Sequence, residues 1–148
     1  MFYKTRLMKK LIFGIVILSA ISACKKVEGD GGRASISGNV IVNERLYING
    51  LCTDTVTYNG AAEDLYIIYG DGDVMYDDKI EVSYDGSFKF EFLQPGTYTI
   101  FGYSKIFHPG NNIPNNDDDY NTMEVVSKTV TISKKENADI GTITLIKN

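Results

Sequence analysis

Asp85-Gly86-Ser87-Phe88-Lys89-Phe90-Glu91-Phe92-Leu93-Gln94-Pro95-Gly96-Thr97-Tyr98-Thr99-Ile100 is the stretch that decides the fold. Between two turn signals, Asp85-Gly86 and Pro95-Gly96, apolar and polar residues alternate from Phe88 to Phe92, the period of a strand with one face in a core. Asp-Gly is a favoured hairpin turn, so 79–84, with Ile80, Val82 and Tyr84 on one face, is predicted to pair with 88–92. Working outward, Leu65-Tyr66-Ile67-Ile68-Tyr69 is apolar on both faces, as in a central strand, and 35–42, 97–103, 126–132 and 140–146 complete the set. From Ala34 onward no 11-residue window keeps a helical apolar stripe. Seven strands in about 115 residues predict an all-β, antiparallel, two-sheet sandwich spanning 34–148. Its expected core holds Phe88, Phe90, Phe92, Ile80, Val82, Tyr98 and Ile100.

The same residues carry a resemblance. Asp85-Gly86-Ser87-Phe88-Lys89-Phe90 followed by Leu93-Gln94-Pro95-Gly96-Thr97-Tyr98-Thr99-Ile100, with Ser35-Ile36-Ser37-Gly38-Asn39-Val40 before them, resembles the signature of carboxypeptidase-regulatory-like and prealbumin-like (transthyretin-like) β-sandwich domains. The resemblance implies a prealbumin-like or Ig-like sandwich serving as an accessory module. Residues 43–63 depart from the pattern, as a polar, Tyr- and Thr-containing insertion, so strand order there stays open.

The chain's beginning has a different character. Residues 1–23 contain Lys4, Arg6, Lys9 and Lys10, no acid, and an apolar run from Leu11 to Ala20, the layout of a signal peptide. The run ends in Ile21-Ser22-Ala23-Cys24, which resembles the lipobox of bacterial lipoproteins. That resemblance implies cleavage before Cys24 and acylation of Cys24, and several acyl chains anchor a protein stably where one does not. Lys25 follows, not Asp, so the analogy favours the outer membrane, with the leaflet open. Residues 24–33, charged and Gly-rich, read as the lipidated Cys and a flexible tether.

Composition fits this division. The 148 residues carry a net charge of −4, but without residues 1–23 the Lys+Arg count falls from 15 to 11 against 19 Asp+Glu, giving −8. Such acidity excludes a phosphate-backbone binder. With Cys24 committed to lipid, Cys52 is left without a disulfide partner.

Enzyme motifs are missing: His108 is the only histidine, and no H-E-x-x-H, G-x-S-x-G or metal-spaced Cys pair occurs. Two acidic loops, with Asp71, Asp73, Asp77 and Asp78 in one and Asp117, Asp118 and Asp119 in the other, offer the oxygen ligands calcium prefers. A shared cation site requires the two runs to converge. The long loop 107–122, with His108, Asn111, Asn112 and Tyr120, and the tyrosines Tyr47, Tyr58, Tyr66, Tyr69, Tyr76 and Tyr103 suggest a sugar- or peptide-binding surface, since tyrosine joins a stacking face to a polar tip. The expected function is therefore a non-enzymatic, membrane-anchored binding or accessory module of the cell envelope, meeting a protein or glycan partner through a loop end or an exposed sheet edge. The alternative expectation is a calcium-dependent glycan-binding protein or hydrolase using the acidic loops.

Overall fold

The computed structural model describes residues 28–70, 75–110 and 118–148, so residues 1–23, read above as a signal peptide, and Cys24 lie outside the described residues. Eight strands form two sheets among the described residues: β1 (Asp30–Ile48), β2 (Leu51–Asn59), β3 (Asp64–Tyr69), β4 (Asp78–Glu81), β5 (Ser87–Leu93), β6 (Gly96–His108), β7 (Tyr120–Ile132) and β8 (Asn137–Lys147). The all-β two-sheet sandwich expected from the alternation is the observed architecture. β1 starts at Asp30, so residues 30–33, expected at the end of the tether, belong to the sandwich.

One sheet is organised around β1. β5 pairs antiparallel with its first half and β2 with its second half, end to end along one edge, while β8 runs parallel along the other. The parallel β1–β8 pair adds a feature the sequence pattern does not encode, because β8 returns from the opposite sheet before joining β1. The second sheet has the order β4-β3-β6-β7 and is antiparallel throughout. β6 and β7 form a long uninterrupted ladder from Gly96↔Ile132 to His108↔Tyr120, extending both strands into the stretch expected to be loop.

The inner faces meet in one core. Ile36, Val40, Val42, Phe88, Phe90, Leu93, Ile143 and Leu145 come from the first sheet, and Leu65, Ile67, Tyr98, Ile100 and Ile132 from the second. Phe92 and Tyr84, expected inside, are 70% and 89% exposed. Phe92 sits at φ +60° in a bulge: Phe90 pairs with Ile36 but Leu93, not Phe92, pairs with Ala34. The extra residue reverses the alternation and turns Leu93 inward. Tyr84 occupies the turn closed by Gly86 N–H to Ser83 O at 2.9 Å. That turn also corrects the expected hairpin. Gly86 O accepts from Val40 N–H at 2.7 Å, which draws β5 onto β1, so β4 and β5 lie in different sheets and the turn is a corner between them.

The insertion at 43–63 contributes the other half of a β-ribbon. Asn49 and Gly50 both have positive φ, +51° and +75°, as a type I′ turn requires, and Ile48 pairs with Leu51 across it. Every residue of β2 is exposed, so the ribbon projects from the sandwich with β2 as an open edge. Cys52 lies on it, exposed and without a disulfide.

Candidate binding face

The described residues among those singled out by sequence fall in several places. Asp71, Asp73, Asn111, Asn112 and Asp117 lie outside the described residues. Asp77 accepts the Tyr69 N–H at 2.7 Å, and Asp78 accepts the N–H of its neighbour Lys79 at 2.7 Å. Asp119 accepts the Gly110 N–H at 2.7 Å, with Asp118 beside it. These carboxylates serve turns, the ordinary work of Asp in loops. Tyr69, next to the first loop, pairs with Tyr98 at the start of β6, whereas the second loop follows His108 at its end. At ~3.3 Å per residue Tyr98 and His108 stand roughly 33 Å apart along β6, so Asp77, bonded at Tyr69, and Asp119, bonded at Gly110, belong to opposite ends of that strand. Among the described residues no group of three or more His, Cys, Asp or Glu is placed to hold a metal.

His108 and Tyr120 do come together. They are opposite each other on β6 and β7, with rings stacked at 4.6 Å and 12°, and His108 Nε2 lies 2.9 Å from Thr122 Oγ1. The contact closes the far end of the ladder.

The tyrosines are where the structure concentrates chemistry. On β3 the buried Leu65 and Ile67 face inward, so Tyr66 faces outward; on β6 the buried Tyr98 and Ile100 leave Phe101 and Tyr103 outward. Tyr66 and Phe101 are direct cross-strand partners with rings stacked at 5.2 Å and 20°. Tyr103 meets Tyr66 edge-on at 5.6 Å and Phe101 at 5.7 Å, and Tyr76 tilts onto Tyr66 at 4.7 Å. Phe101 is only 8% exposed because these rings cover it, while Tyr103 and Tyr76 are 38% and 47% exposed. Burial, and then the Asp64 carboxylate, push the Tyr66 hydroxyl above its ordinary value, so it is neutral and able to donate.

The outer face of β6 and β7 is graded along its length. At one end Thr97–Thr131 and Thr99–Thr129 are joined hydroxyl to hydroxyl at 2.9 and 3.0 Å. Phe101 opposite Ser127 and Tyr103 opposite Val125 follow, and then Lys105 opposite Met123. Beside the rings runs a groove of about 320 Å³, lined among others by Asp64, Tyr66, Tyr103, Lys105 and Met123. Its acids are held by cations, Lys79 to Asp64 at 3.0 Å and Lys147 to Glu63 at 2.5 Å. The result is an exposed aromatic strip with hydroxyls at one end and cations at the other. Individual tyrosines were legible in the sequence, but their convergence depends on the pairing of β3 with β6.

Fold and face together define an all-β sandwich protein with an exposed aromatic sheet surface. No family model matches the chain, and no curated protein matches it by sequence. Among solved structures it is similar to a proposed carbohydrate-binding protein of Pseudomonas aeruginosa, at 15% identity over 84% of this chain and 93% of that one, with a TM-score of 0.49.

Proposed function

We propose that this protein is a non-enzymatic binding module that takes a glycan on the outer face of β3, β6 and β7, and that it is held in the cell envelope by lipid on Cys24. The observation that carries the binding reading is the cluster of Tyr66, Phe101, Tyr103 and Tyr76 on a solvent-facing sheet surface. Large rings normally bury their area, and an exposed contiguous group of them marks a contact surface. A sugar ring is amphipathic in the same way as this face: its C–H side lies on an aromatic plane, and its hydroxyls meet hydroxyls and charged groups at the margins. Ser127, Thr129 and Thr99 provide the first kind of margin and Lys105 the second.

The anchoring reading rests on the lipobox-like Ile21-Ser22-Ala23-Cys24. A chain held at Cys24 enters the sandwich at Asp30, and the ribbon end of β1 at Ile48 is its far end. Asp30 and Ala34 both lie opposite Leu93, and from there to Ile48 β1 spans roughly 46 Å at ~3.3 Å per residue, so the ribbon is presented away from the anchor.

Affinity electrophoresis of the purified chain through gels containing neutral or acidic polysaccharides tests the binding reading. Retardation by at least one polysaccharide, abolished in Tyr103→Ala, is expected. For the anchor, an alkyne fatty acid fed to a bacterial host labels the wild-type chain and not Cys24→Ser.

A further inference from the structure

At the far end of the aromatic strip a second groove of about 320 Å³ is lined by Arg45, Leu46, Tyr47, Lys105, Phe107, Asn121 and Asn148. It lies where the β1 ribbon meets the end of β6, and Tyr47 packs edge-on against Phe107 at 4.7 Å. Lys105 lines both grooves, so the two are neighbours along β6.

The charge pattern of this groove runs against that of the protein. The chain is acidic overall, at −4, yet no Asp or Glu is in the lining. The ion pairs among the described residues occupy Lys79, Lys89 and Lys147, and none includes Arg45 or Lys105. Arg45 is half-buried, lines the groove and engages no carboxylate among the described residues. Asn148 Nδ2 donates to Asn121 Oδ1 at 2.7 Å, which leaves the Asn121 amide N–H group as a donor.

We infer that this groove binds a carboxylate-bearing sugar, a uronic acid residue of an acidic glycan, and so sets the specificity of the glycan-binding face proposed above, on which this inference rests. The Arg45 fork suits a planar carboxylate, Lys105 adds a point charge, Tyr47 and Phe107 supply the apolar wall, and Asn121 donates to a ring hydroxyl. A volume of about 320 Å³ is at the small end of ligand sites, adequate for one or two sugar units.

Isothermal calorimetry of the full chain at low salt with a galacturonic acid hexamer and with the neutral galactose hexamer tests this. The acidic hexamer is expected to bind about tenfold more tightly, the discrimination expected of one charge-assisted contact, and the preference is expected to vanish in Arg45→Gln/Lys105→Gln. Both side chains are at the surface, and an unchanged near-ultraviolet circular dichroism spectrum verifies that the variant is folded. Equal binding of the two hexamers, or a preference that survives in the double variant, overturns the inference while leaving the glycan-binding reading intact. Binding of neither hexamer overturns the inference, and the glycan-binding reading falls with it only where the polysaccharide gels also show no retardation.

Discussion

The Tyr98 hydroxyl accepts a hydrogen bond from the backbone N–H of Gly29 at 3.1 Å and donates one to Gln94 O at 2.7 Å. The second bond, to a carbonyl four residues upstream, is the tyrosine corner of Greek-key sandwiches. The first ties the beginning of the sandwich to β6, and Gln94 N–H to Gly29 O at 2.8 Å reinforces it. The completely buried Tyr98 thus joins the corner between β5 and β6 to the segment leading into β1.

Tyr98→Phe keeps the ring and removes both bonds, leaving a Gly29 donor without its partner. The expected cost is about 1–3 kcal/mol. Urea denaturation should show a lower midpoint with unchanged slope.

Alkaline stability follows from the same residue and from Tyr69. Burial raises both hydroxyl pKa values above the ordinary 10.0, and at Tyr69 the Asp30 carboxylate, 3.2 Å away, adds to the effect. A pKa raised in the folded state means that the stability contributed is full below about pH 10, where tyrosine is neutral in both states, and is lost as pH rises through the folded-state values. Tyrosinate absorbance should show these two among the last of the ten tyrosines to ionise, together with loss of the near-ultraviolet circular dichroism signal. Ionisation of all ten near pH 10 with the signal intact contradicts this.

Cys52 gives a direct readout of the fate of Cys24. It is exposed on β2, where its thiol contacts only Asp54 O among its hydrogen-bond partners. A chain recovered from bacterial membranes with Cys24 acylated should titrate one thiol with a disulfide reagent, and none in Cys52→Ser. Two thiols in the recovered wild-type chain contradict lipidation.

The sandwich was legible because its core strands obey period two between recognisable turns. Ile36, Val40, Val42, Leu65, Ile67, Phe88 and Phe90 alternate in sequence and are all buried in space. The misreadings are local events that period two cannot register. One extra residue at Phe92 reversed a face, and Gly86 O bonding to Val40 N–H sent β5 to the other sheet. β2 went unread because it buries nothing and so has no alternation to detect, although Asn49-Gly50, flanked by Ile48 and Leu51, was a usable hairpin signal. The aromatic strip was half legible: the tyrosines were visible, but Tyr66 reaches Phe101 and Tyr103 only through a pairing some 35 residues away in sequence. Of the acidic residues, Asp77 sits by Tyr69, opposite Tyr98, and Asp119 by Gly110, just past His108, a separation that composition does not encode.

The most direct test of the central claim is the titration of the wild-type chain and of Tyr103→Ala with the galacturonic acid hexamer, followed by calorimetry. Tyr103 is 38% exposed on the outer face, so its truncation spares the core. Saturable binding by the wild type, weakened at least about tenfold in Tyr103→Ala with the melting temperature essentially unchanged, is the predicted result, a loss of about 1.4 kcal/mol. Wild-type and variant curves that coincide would contradict the account.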